Sequence, residues 1–199
     1  MRFLTIVVLA FLFTVSSFSQ SHSEDIKKEA QIYYDYMTEM DLDGILDYMY
    51  PKVFDMASKE QMKTGMLQMF DSPQLKVEFL SNEVTSVSQV EEVEGVNYAL
   101  VYYKSEMRMT FLTEKDKSEE ERKSHLDLMK STLATQFGAE NITIDTATTS
   151  LVISHDASMF AIKDPQYDGW KFLANEKNME ALVNTMIPEA VRSRLSEKD

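Results

Sequence analysis

The run from Val96 to Leu112 constrains this chain more than any other feature. In its first half, apolar residues occupy both alternating sets: Val96, Tyr98, Leu100 and Tyr102 against Ala99, Val101 and Tyr103. In its second half only one set is apolar, with Met107, Met109 and Phe111 opposite Glu106, Arg108 and Thr110. A two-residue period means an extended strand, and apolar residues on both faces mean cover on both sides. The run therefore predicts a long strand in the middle of a curved sheet, covered twice at one end and once at the other.

Helical spacing surrounds this strand. Ile26, Ala30, Tyr33, Met37 and Met40 form one apolar stripe, with Ser23 as its cap. A short helix carries Ile45, Leu46, Tyr48 and Met49 and stops near Pro51. A third starts at the Ser58–Gln61 capping-box spacing and places Met62, Met66, Met69 and Phe70 on one side. After Pro73 the period changes to two, at Leu75, Val77 and Phe79, and continues less regularly through Val84, Val87 and Val90.

Beyond the long strand, Ser118 and Glu121 open a helix along Leu126, Met129, Leu133 and Phe137, which Gly138 ends. Further strands are expected over 141–148, 151–153 and 158–162, and a last one at Gly169–Leu173. A closing helix carries Met179, Leu182, Val183, Met186 and Ile187. Residues 188–199 read as a fraying charged tail. Residues 24–187 thus form a single α+β domain, with helices and strands largely segregated.

Residues 1–19 read as a signal peptide: Arg2, an apolar stretch from Phe3 to Val15, then small residues before a cut ahead of Gln20. The stretch is shorter than the ~20 residues of a bilayer span. The expectation is an exported protein, periplasmic or extracellular, with no membrane attachment after cleavage. The chain has no cysteine, so no disulfide, thiol catalysis or cysteine zinc site is available. Loss of Arg2 with the signal takes the net charge from −13 to −14. That charge disfavours nucleic acid and anionic membranes as partners.

The last strand, Asp168-Gly169-Trp170-Lys171-Phe172, and the helix–break–helix course from Gln31 to Phe70 with Tyr50-Pro51 carry a likeness. Together with three helices before a curved sheet, they resemble the nuclear transport factor 2-like superfamily. The resemblance implies a cone fold, with helices on the concave face of a mostly antiparallel sheet and often a pocket between them. It covers 24–173. The helix after Ser118 and the one after Lys177 depart from the minimal cone, which leaves both monomer and homodimer open. The superfamily holds isomerases, dehydratases, cyclases, transport adaptors and binding modules, so fold leaves function open.

Candidate chemistry is sparse. His155 and Asp156, read as a loop between two strands, are an acid–base pair by type, but neighbours in an extended chain point apart. Glu106 and Asp145 sit in strand signals, where a buried carboxylate would serve as a base. The methionines follow the hydrophobic period, which assigns them to packing before soft-metal binding, and no metal or cofactor is expected. Glycine-rich phosphate loops, HExxH and Gly-x-Ser-x-Gly elements do not occur. Tyrosines crowd the first two helices, and rings with polar tips suit an apolar pocket. Tyr34, Tyr48, Tyr102 and Trp170 are the candidate binding residues. The leading expectation is a non-enzymatic binding module for a small apolar ligand or a protein partner at the helix–sheet cavity. The alternatives are a lyase- or isomerase-type enzyme with an acid–base residue there, and a periplasmic interaction domain without a pocket.

Overall fold

The long strand lies at the centre of a six-stranded antiparallel sheet. The computed structural model describes residues 22–196, so the signal segment 1–19 lies outside the described residues. Helix α1 covers residues 22–39. It is followed by α2 (Leu42–Tyr48), a 3-10 turn (Pro51–Asp55) and α3 (Lys59–Phe70). Then come β1 (Leu75–Val87), β2 (Glu91–Val93), β3 (Val96–Phe111) and α4 (Glu119–Phe137). The chain ends with β4 (Ile142–Asp145), β5 (Ser150–Lys163), β6 (Lys171–Ala174), α5 (Glu180–Met186) and α6 (Glu189–Ser196).

β3 pairs with β1 and β2 on one side and β5 on the other. β5 carries β4 along one stretch of its outer edge and β6 along another. Register shifts at Phe79/Ser81 and Val84/Ser86 interrupt β1. Bulges of this kind bend a strand and add twist, and they explain the weak alternation after Phe79.

The double cover expected at one end of β3 is present. On one face, Ala99, Val101 and Tyr103 pack with Met159, Ala161, Trp170 and Phe172 beneath Ile26, Ala30 and Tyr34 of α1. On the other, Tyr98, Leu100, Phe160 and Ile162 meet Val183 and Ile187 of α5 and its following turn, and Val191 and Leu195 of α6. At the far end, among the described residues, only the first face is covered, where α4 sets Leu126 on Phe111, Ile142, Leu151 and Ile153. No described helix is long and apolar enough to cross a membrane.

Three elements depart from the sequence expectation: α1, α3 and the tail. The α1 stripe is rotated, so Tyr34 is buried and Met40 lies past the helix end with φ of +57°. Gly44 lets α2 approach α1, because a Cβ there would lie 2.6 Å from the Tyr36 ring. α3 has no buried residue and leaves Leu67 and Met69 exposed, so packing does not account for every methionine. Residues 189–196 of the expected tail form α6, because Val191 and Leu195, four apart among charges, bury one side of a helical turn.

Candidate functional site

A polar row crosses the covered face between the α1 core and the α4 core. Asn82 of β1 stands opposite Ser105 of β3, and Ser105 opposite His155 of β5. α1 uses Asn82: its side-chain amide donates to Thr38 Oγ1 at 3.2 Å, and Gln31 Nε2 donates to its backbone carbonyl at 3.1 Å. Ser105 is buried. His155 is mostly buried, with 15% of its side chain exposed. Its ring meets Phe137, the last residue of α4, edge to face at 5.2 Å. Its Nε2 lies 3.9 Å from Glu176 Oε1. Both ring nitrogens are buried without a hydrogen-bond partner.

A cavity of about 640 Å³ opens here, lined by Tyr102, Tyr103, Phe137, His155, Ser158 and Glu176 among others. The volume falls in the range of small-molecule sites, which combine apolar walls with a few polar groups. Burial pushes the Tyr103 phenol up to about 12, so it stays a neutral hydroxyl at physiological pH. An imidazole whose nitrogens make no hydrogen bond can donate from one and accept at the other. Such a group can fix a ligand's polar end or move a proton.

The expected break at His155 does not occur. Residues 150–163 form one strand, and the polar stretch from Ser154 to Ser158 hides its continuity. Asp156 points to the opposite face, 3.9 Å from Lys104. The carboxylate beside His155 is Glu176, which joins it only through the tertiary fold. Hydrogen bonds from Thr148 hold the Asp145 carboxyl below its ordinary value, the reverse of a raised-pKa base.

The four candidate aromatics do not converge. Tyr34 and Trp170 are buried in the α1 core, where Tyr34 donates to Met159 Sδ at 3.3 Å and Glu29 accepts from Trp170 N at 3.1 Å. Tyr48 is half-buried at the rim of that core, stacked on Phe172 with ring centres 6.0 Å apart. Tyr102 lines the cavity. Tyr103, Phe137 and His155 complete its wall, and strand parity combined with helix ends would have been the signal for them. A smaller slot of about 220 Å³ lies between the helices and β6, walled by Tyr33, Met49, Met56, Met62, Phe172 and Met179 among others. Among the described residues, no three His, Asp or Glu side chains come together as a metal site. No protein-family model matches the chain, and no curated protein or solved structure does so either.

Proposed function

We propose that the protein is an exported binding module that holds a small amphipathic molecule in the cavity around His155. The observation that carries this reading is the buried imidazole, whose two nitrogens have no hydrogen-bond partner among the described residues although the ring lines a cavity. Buried polar atoms left unpaired cost stability, so a persistent pair of them argues for a ligand group that satisfies them. Tyr103 and Phe137 supply the apolar body of the site. The proposal includes the cone fold of the nuclear transport factor 2-like superfamily, where helices shelter a pocket against a curved sheet; helices packed on an antiparallel sheet support that part of it. Cleavage before Gln20 is part of the proposal, and N-terminal sequencing of the secreted protein checks it.

Native mass spectrometry of protein from its own host, compared with its denatured mass, tests the binding. The expected result is an added mass that leaves on denaturation and falls in His155→Phe, while the melting temperature stays near that of the parent. A bare mass for the parent, or undiminished occupancy in the variant, sinks the assignment.

A second reading rests on the His155–Glu176 approach of 3.9 Å. A carboxylate beside an imidazole orients it for proton transfer, as a lyase or isomerase requires. Under this reading the bound molecule exchanges a carbon-bound proton for deuterium in D2O, and Glu176→Gln stops the exchange without emptying the cavity.

A further inference from the structure

The face of the sheet that α5 and α6 leave bare carries a concavity of opposite character. Lys76 of β1 is the cross-strand partner of Thr110, and Glu78 of Arg108. Lys115 follows β3, and Arg122 rises from the start of α4. With Thr148 and Thr149 from the β4–β5 turn, these residues surround a cavity of about 460 Å³. Four bases, Lys76, Arg108, Lys115 and Arg122, face a single acid, Glu78.

That excess stands out in a chain with 33 acidic and 20 basic side chains. A basic face in a basic protein follows from composition, but here it opposes the net charge. Lys76 already neutralises Glu78, at 2.9 Å. Glu119, Glu120 and Glu121, which open α4, do not line the cavity. Asp145 is held by the turn, its carboxyl lowered first by hydrogen bonds from Thr148 and only lastly by the Arg108 charge.

A second observation points to a ligand. Arg108 Nε and Arg122 Nε are both buried and lack a hydrogen-bond partner. Arg122 is anchored elsewhere, with Nη1 donating to the carbonyls of Lys115 and Lys117 at 3.3 and 3.4 Å. Its planar fork is therefore fixed while one of its donors is unused. Nearby hydroxyls are already ordered: Thr110 and Ser150 share a hydrogen bond of 2.9 Å, and Thr148 donates to Ser150 at 3.0 Å. Buried guanidinium donors and excess positive charge are what a compact oxyanion requires.

We propose that this cavity is an oxyanion site that takes the phosphate or sulfate group of a small molecule, with Arg108 and Arg122 as its two principal donors. Lys76 and Lys115 add charge at the rim. The site is separate from the His155 cavity and shares none of its lining residues.

The test titrates inorganic phosphate and inorganic sulfate separately into the protein at low ionic strength, followed by calorimetry and amide NMR. The expected result is saturable binding of at least one anion, with shifts at Thr110, Thr148 and Arg122. Arg108→Gln and Arg122→Gln each weaken it about tenfold or more. Lys115→Gln, a change at an exposed side chain that leaves the fold intact, weakens it about threefold. Lys104→Gln, outside the cavity, leaves it unchanged. Binding of both anions names the group as any tetrahedral oxyanion, and binding of one alone names that group. Absence of saturable binding, or equal weakening by Lys104→Gln and Lys115→Gln, overturns the proposal.

Discussion

The two ends of the sheet are built from the same strands and do different work. At the Ala99–Tyr103 end, helices cover both faces, and β3 and β5 bury side chains of both parities. At the Arg108–Phe111 end, α4 covers one face, while the other carries charge and hydroxyls. The first end holds the molecule together through apolar area removed from water on two sides. The second end trades half of that area for a surface that can meet a solute. His155 lies where one regime gives way to the other.

The contrast breaks most visibly by shortening side chains of one strand. Ile162→Ala, in the doubly covered end, is expected to cost about 2–5 kcal/mol of unfolding free energy. Val152→Ala, on the bare face of the same strand, is expected to cost about 1 kcal/mol or less. Equal losses in denaturant titrations would mean that the bare face is covered after all. A chain ending at Pro188 loses Val191 and Leu195 from the second face, an effect of about 3–5 kcal/mol in the same titration. Retained stability would return α6 to the status of a tail.

Smaller effects sharpen the picture at the α4 end. Ser118 accepts from Glu121 N while Glu121 accepts from Ser118 N, a complete capping box. Ser118→Ala is expected to cost about 1 kcal/mol, with faster amide exchange confined to α4. Exchange that accelerates equally in α1 would show that the two ends open as one unit.

Acid gives the mildest separation. Glu114, buried beside Lys117 at 2.8 Å and His125 at 3.8 Å, has its carboxyl lowered below 4.5, first by the Lys117 hydrogen bond. Glu121 is lowered first by its hydrogen bonds with Ser118. A carboxyl lowered on folding stabilises the fold above its unfolded value, and that stabilisation fades as pH falls through about 4.5 toward the lowered value. Hydrogen exchange across that window should show α4 loosening before α1; the reverse order would remove these pairs from the account.

Legibility followed physical pattern. β3 was readable because its alternation runs unbroken and changes character once, and α4 because its cap and stripe agree. β5 was read as pieces because Ser154, His155, Asp156 and Ser158 interrupt its apolar period, although backbone pairing to β3 continues through all of them. α6 was hidden by charge, since two buried residues suffice for a helix of two turns. The candidate site was the least readable part. Aromatic type is visible in a sequence, but the face of the sheet is not, so Tyr34 and Trp170 looked as available as Tyr102. Glu176 and His155 meet only after β6 has paired with β5.

The hydrogen bond from Trp170 N to Glu29 joins residues 141 positions apart. It puts a clock on the chain as it is made. α1 is synthesised before any strand of the sheet that it covers, and an isolated amphipathic helix of its length is marginal in water. At about 5–20 residues per second, roughly 7–28 s pass between Glu29 and Trp170. Ile26, Ala30 and Tyr34 have no strand to rest on until Val84, Ala99, Val101 and Tyr103 have been made, and their cover is complete only when Trp170 and Phe172 follow. The first described helix is therefore among the last elements to be fully secured, and the last described strand closes the fold against it.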